Sequence, residues 1–193
     1  MPEKLYPKYV FCIEGDWEGN LNRTASVRPV LELLDINAGV KFIYRDCSTI
    51  GEMEFLIGKW RQRGYSRYKI LYLAFHGSQG EILINSRDRV TLEQLGERLD
   101  GRCHRRLIYF GACSVLAIDE RVIKRFLRTS GAKAVCGYTT DVDWMKSTAL
   151  DLIAMSELQK FSMTLQGLEA AEKSIRRSTK ALSGKLGFRM VYL

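Results

Sequence analysis

The sequence predicts an α/β fold: a three-layer αβα sandwich built on a mainly parallel sheet of about six strands. Two observations predict it. Short apolar runs rich in β-branched and aromatic residues alternate with amphipathic segments, the pattern of successive βαβ units. The runs at 9–15 (YVFCIEG), 68–75 (YKILYLAF) and 106–111 (RLIYFG) are also nearly continuous in apolar residues, as strands covered on both faces are. The 193 residues suit one domain, 1–193, with a substantial core.

Strand 1 is expected at 9–15. A helix over 25–36 ends before Asn37 and Gly39. Strand 2 covers 40–46, and a helix over 49–64 closes at Gly64. Strand 3 is 68–75, and EILINS (81–86) suggests a small surface strand. TLEQLGERL (91–99) opens on Thr91 as N-cap and sets Leu92, Leu95 and Leu99 on one helical face. Strand 4 is 106–111, followed by a helix over about 115–129 that stops at Gly131. Strand 5 is 133–138, and a helix covers about 145–159. A longer helix over about 163–182 repeats Leu168, Ile175 and Leu182 every seven residues on one side. Lys173, Arg176, Arg177 and Lys180 lie on another side. GFRMVYL (187–193) makes a final strand.

Hydrophobic residues make up 46% and charged residues 27% of the chain, an ordinary balance for a soluble protein. No run approaches the ~18 to 20 apolar residues of a membrane span, and MPEKLYPKYV lacks a signal-peptide core. A cytoplasmic protein is expected. The five cysteines are odd in number and contain no CxxC, which speaks against a disulfide framework. With two histidines and no ligand spacing, no metal is expected either. The net charge of +8 admits anionic partners, but the positive residues are dispersed and read most simply as solvated faces. No helix-turn-helix, zinc-finger or aromatic stacking pattern accompanies them.

The chemistry lies in two strand ends. LYLAFHGSQG (71–80) runs from a buried strand into His76 and Gly77. LIYFGACSVL (107–116) does the same with Cys113. In doubly wound sheets the working residues gather beyond the carboxyl ends of the strands, so His76 and Cys113 are expected at one sheet edge. A thiolate is a strong nucleophile, and an imidazole beside it can take its proton and return it to a leaving amine. The N–H groups of Gly77 and Cys113 are candidates for an oxyanion hole. A helix starting directly after Cys113 would favour the thiolate. His104, before strand 4, belongs at the opposite edge.

AFHG (74–77) followed by YFGACS (109–114) resembles the caspase-like cysteine peptidases (clan CD), which include caspases, metacaspases, separase, gingipains and bacterial CHAT domains. The resemblance implies His76 as general base and Cys113 as nucleophile. Their separation of 37 positions is shorter than the ~50 of caspases. Gly111 stands where caspases carry glutamine, and Ser114 departs from their QAC[RQG]G. GACS, with LEAAEKSI and a last strand, looks closer to CHAT-type domains. In this family the loop after strand 5 lines the substrate cleft. Here it is GYTTDVDWM (137–145), whose TTD is similar to the VTD of separase. That implies Asp141, with Asp143 beside it, as the acid for a basic P1 side chain, and Trp144 as an apolar wall. The competing reading is that both aspartates cap the next helix. The loop after strand 1, EGDWEGNLNR (14–23), is the other candidate wall, with Asp16 and Arg23. An Arg23 contact would select an acidic P1 instead.

The expected protein is a cysteine endopeptidase without cofactor or metal, acting on a protein or peptide substrate and depending on an activating partner protein or ligand. The resemblance to bacterial relatives implies a triggered effector in prokaryotic defence or cell death. Two alternatives stand beside it: a catalytically idle binding or regulatory module, and a nucleic-acid-binding protein using the basic helix at 173–180.

Overall fold

A computed structural model describes residues 6–18, 22 and 25–193 of the chain. Six strands form the main sheet: β1 (Val10–Glu14), β2 (Phe42–Asp46), β3 (Ile70–Ala74), β7 (Leu107–Gly111), β8 (Ala134–Tyr138) and β9 (Phe188–Tyr192). Their order is β2-β1-β3-β7-β8-β9. The first five run parallel, and β9 pairs antiparallel with β8. Three short strands, β4 (His76–Ser78), β5 (Glu81–Leu83) and β6 (Arg89–Thr91), make a separate antiparallel sheet.

Alternation along the strands divides the core in two. Phe11, Ile13, Leu71, Leu73, Ile108, Phe110 and Val135 face α2 (Ile50–Trp60), α3 (Leu92–Leu99) and α4 (Glu120–Ser130). Val10, Cys12, Ile70, Tyr72, Leu107, Tyr109, Cys136 and Tyr138 face α1 (Arg28–Ala38), α5 (Trp144–Leu158) and α6 (Leu165–Ser178). Both faces of the sheet are therefore covered, which is why strands 1, 3 and 7 carry apolar residues at successive positions. The layers are those of the predicted αβα sandwich. Among the described residues, no helix is long and apolar enough to cross a membrane.

Four local expectations are corrected. The helix expected to begin right after Cys113 starts only at Glu120, capped by Asp119, whose Oδ1 accepts from Arg121 N–H at 2.7 Å. Residues 112–119 stay non-helical because their backbone groups bond sideways. Val115 C=O accepts from Gly80 N–H at 3.1 Å, and Leu116 N–H donates to Tyr138 C=O at 3.0 Å. The long helix expected over 163–182 breaks at Thr179 (φ −124°, ψ 27°) into α6 and a short α7 (Lys180–Lys185). The Thr179 hydroxyl bonds to Ile175 C=O at 2.7 Å, competing with the backbone there. The helix expected over 49–64 ends at Trp60 and yields to a 3₁₀ turn. The surface strand expected at 81–86 is shorter, and it is the middle strand of the three-stranded sheet.

Candidate active site

β3 and β7 are hydrogen-bonded neighbours in register, with Ala74 opposite Gly111. Their carboxyl ends therefore reach the same edge. Past β3, buried Phe75 leads into His76, the first residue of β4. β7 ends on Gly111, and Ala112 leads to Cys113 in a tight turn. Ser114 closes that turn in the left-handed region (φ 54°), a conformation a non-glycine residue seldom adopts. Three bonds hold it. Ser114 N–H donates to Thr140 C=O at 3.0 Å, Ala117 N–H donates to Ser114 C=O at 2.9 Å, and the Ser114 hydroxyl donates to Asp141 Oδ1 at 2.8 Å.

The turn lies directly against the β4–β5 hairpin. A Cβ on Gly77 would stand 2.7 Å from Cys113 C=O, 3.0 Å from Ala112 Cβ and 2.6 Å from Val115 Cγ2. Only glycine allows the backbone after His76 to approach the Cys113 turn this closely.

The His76 ring is oriented from the β1 side. Glu14, buried at the end of β1, accepts from Trp17 Nε1 at 2.6 Å, Ser26 Oγ at 2.6 Å and Val27 N–H at 2.8 Å. This anchors Trp17, whose backbone carbonyl accepts from His76 Nε2. A carbonyl oxygen can only accept, so in the neutral ring Nε2 is the nitrogen that carries the proton and Nδ1 the one with the lone pair. The Trp17 indole meets the His76 ring edge-on at 5.3 Å and the Trp144 ring at 4.5 Å between centroids.

His76 and Cys113 line one cavity of about 190 Å³ with Trp17, Val142, Trp144, Tyr72 and Asp151. The Cys113 sulfur accepts from Val142 N–H at 3.4 Å, so its hydrogen bond runs to the β8–α5 loop rather than to the imidazole. The other four cysteines are fully buried. Burial pushes the Cys47 thiol up to about 11 and Cys103 to about 12, and Cys12 and Cys136 well above the usual range. Cys113 is half-buried, which sets it apart from these core thiols.

The other expected site residues divide. Trp144 is a wall of the cavity. Asp141 is exposed, takes the Ser114 hydroxyl and does not line that cavity. Asp143 caps α5, accepting from Lys146 N–H at 3.0 Å. Asp16 lines an adjoining cavity with His76, Leu83 and Asn85. Arg23 lies outside the described residues. On the basic helix, Arg176 is held by Glu172 at 2.9 Å and by Phe188 C=O at 3.0 Å.

Asp151 is the functional candidate that the sequence reading did not single out. It lies on the buried face of α5 with Leu150, Ala154, Met155 and Leu158. An acid at the i−3 and i−4 positions of buried apolar residues is the signal that marks it. Tyr72 donates to its Oδ2 at 2.6 Å, and Tyr138 donates to Oδ1. The Tyr109 hydroxyl is buried close by, near enough to favour the carboxylate but short of a hydrogen bond. Burial pushes the Asp151 carboxyl up to about 6, against the opposing pull of the tyrosine hydroxyls. The folded protein then holds this proton over a range where the unfolded chain, near 3.8, has lost it. The stability this group contributes is present below about pH 4 and is lost as pH rises through about 6. Asp151→Asn is expected to remove a fall of about 3 kcal/mol across that window, at about 1.4 kcal/mol per pH unit. Urea midpoints of both proteins from pH 4 to 7 check it.

The order of the sheet, with helices on both faces and His76 and Cys113 at its carboxyl edge, is that of a caspase-like fold. Among solved structures the chain is similar to a secreted C11 cysteine protease from Bacteroides thetaiotaomicron, in complex with an irreversible peptide inhibitor. The TM-score is 0.58 at 12% identity, covering 91% of this chain and 60% of that one. The chain thus spans about three fifths of that protein's length, and the likeness is one of fold. Residues 7–192 match the model of DUF6642, described as a family of unknown function, and the chain belongs to that family. No curated protein matches it.

Proposed function

We propose that this protein is a cysteine endopeptidase using a His76–Cys113 dyad. One observation carries the reading. Two adjacent strands deliver an imidazole with its Nδ1 lone pair available and a half-buried cysteine to the wall of one cavity. In the reaction, Nδ1 takes the thiol proton and the sulfur adds to the scissile carbonyl carbon. Collapse of the adduct breaks the C–N bond, and the imidazolium returns its proton to the departing amine. Water, deprotonated by the same nitrogen, then hydrolyses the thioester and restores the thiol.

The oxyanion is assigned to the N–H groups of Gly77 and Cys113. Ser78 and Glu81 close the two-residue hairpin as the bonded pair, so Gly77, opposite Ile82, directs its N–H away from β5. Cleavage after a basic residue is the favoured specificity. Asp141 and Asp143 are exposed acids of the β8–α5 loop and Asp16 an exposed acid after β1, Trp144 is an apolar wall, and Arg23 is the residue that would argue for acidic P1. The bond from Val142 N–H to the sulfur supports a resting arrangement from which a partner protein or ligand re-aims Cys113 toward His76. That fits a triggered effector in cell defence or death, and it equally suits an idle regulatory module.

A positional-scanning peptide library tests activity and specificity together. Wild type is expected to cleave after Arg or Lys, and Cys113→Ala to cleave nothing. Equal turnover by both proteins rejects the dyad.

A further inference from the structure

We propose that Asp151 is the specificity-determining residue of this site: its carboxylate, in the cavity lining, is the counter-ion for the cationic side chain of the residue whose carbonyl Cys113 attacks. The inference rests on the peptidase reading above and names the group that reads the substrate.

Three observations converge on it. First, Asp151 is 2% exposed, yet it lines the same cavity as Cys113 and His76. Second, no Lys or Arg among the described residues pairs with it; its partners are the neutral phenols of Tyr72 and Tyr138. A buried carboxylate is costly unless a cation or several donors face it. The phenols supply one hydrogen bond to each oxygen, and each oxygen keeps a further lone pair. Third, the walls above the acid suit a long cationic side chain. Trp17 and Trp144 stand edge to face at 4.5 Å, offering apolar surface to a methylene stem and a ring face to a charge. At about 190 Å³ the cavity is smaller than the ~300 to 1,000 Å³ of cofactor and drug sites, a size scaled to one side chain.

The two acids of the β8–α5 loop are otherwise engaged. Asp141 receives the Ser114 hydroxyl at 2.8 Å and tethers the nucleophile turn, while Asp143 caps α5. Both stand in solvent, where a single ion pair discriminates weakly. Asp151 would meet its cation out of water, where it counts for more.

The test separates binding from catalysis. n-Butylamine and n-butylguanidine serve as side-chain mimics, with n-pentanol as the neutral control. They are titrated by calorimetry into wild type, Cys113→Ala, Asp151→Asn and Asp141→Asn. Both cations are expected to bind wild type and Cys113→Ala alike, at least tenfold more tightly than pentanol. Asp151→Asn is expected to lose that preference and Asp141→Asn to keep it. In parallel, the kcat/KM ratio for P1 Lys or Arg over P1 Gln is expected to fall about 30-fold in Asp151→Asn, equivalent to ~2 kcal/mol. Circular dichroism checks that this variant folds. If it does not, Thr148→Lys carries the test. Residue 148 lies one turn before Asp151 on α5 and lines the same cavity, so a lysine there supplies an internal cation and is expected to abolish binding of both amines. Cation preference that survives Asp151→Asn or Thr148→Lys, or that vanishes only in Asp141→Asn, overturns the assignment. Asp151-dependent cation binding in a protein that cleaves no peptide supports the acid's role and overturns only the peptidase reading.

Discussion

Replacing Cys113 with Ala, or His76 with Gln, is expected to lower kcat/KM by roughly 10³-fold or more, with the double variant no worse than either alone. Gln is the informative change at His76. Its amide N–H can still donate to the Trp17 carbonyl that now holds Nε2, but it has no basic nitrogen to receive the thiol proton. The ring's surroundings are kept and the proton transfer is removed. Neither change touches the core, since His76 is exposed and Cys113 half-buried. Melting temperatures are therefore expected to stay close to wild type while activity is lost. Steady-state kinetics on the best library substrate, with calorimetric melting in parallel, measures both. A His76→Gln enzyme within tenfold of wild type removes the imidazole from the mechanism.

Gly77→Ala is expected to damage folding and catalysis together. The new methyl would meet Cys113 C=O at 2.7 Å and Ala112 Cβ at 3.0 Å. A backbone oxygen and a Cβ have no rotamer with which to retreat, so the Cys113 turn itself must move. Overpacking of this kind costs about 1–3 kcal/mol. A shift of about 1 Å at the sulfur costs about 100-fold in rate. Gly58→Ala is the contrasting control. It sits within α2 with nothing within 4 Å of a Cβ, and it is expected to stabilise the helix by up to ~1 kcal/mol. Denaturant midpoints for the two variants should move in opposite directions, with kcat/KM falling only for Gly77→Ala.

The parallel sheet was legible because its strands are buried on both faces and write their positions as unbroken apolar runs. The placement of His76 and Cys113 was legible for a related reason. A strand end fixes where the following residue goes, so the sequence alone places His76 and Cys113 at one edge. What escaped the sequence has physical causes. The strands of the β4–β6 sheet are three residues each, too short to express a period. The groups that hold His76 Nε2 and the Cys113 sulfur are the carbonyl of Trp17 and the amide of Val142, and main-chain groups leave no residue signature. The segment 112–119 carries helix-compatible residues, but cross-chain bonds to Gly80 and Tyr138 hold it open. Asp151 was hidden by its company: among Leu150, Ala154 and Met155 it looked like part of an amphipathic helix, and only the fold reveals that it lines the cavity of His76 and Cys113. Asp141 was drawn from a motif likeness, whereas its observed partner is the hydroxyl of Ser114.

The most direct measurement is the site of covalent capture. The protein is incubated with a peptidyl acyloxymethyl ketone carrying P1 lysine, digested, and the adduct located by mass spectrometry. A single adduct on Cys113 Sγ is expected, formed at least 100-fold more slowly in His76→Gln and absent in Cys113→Ala. Labelling of Cys113→Ala at the wild-type rate, or an adduct on any other residue, would contradict it.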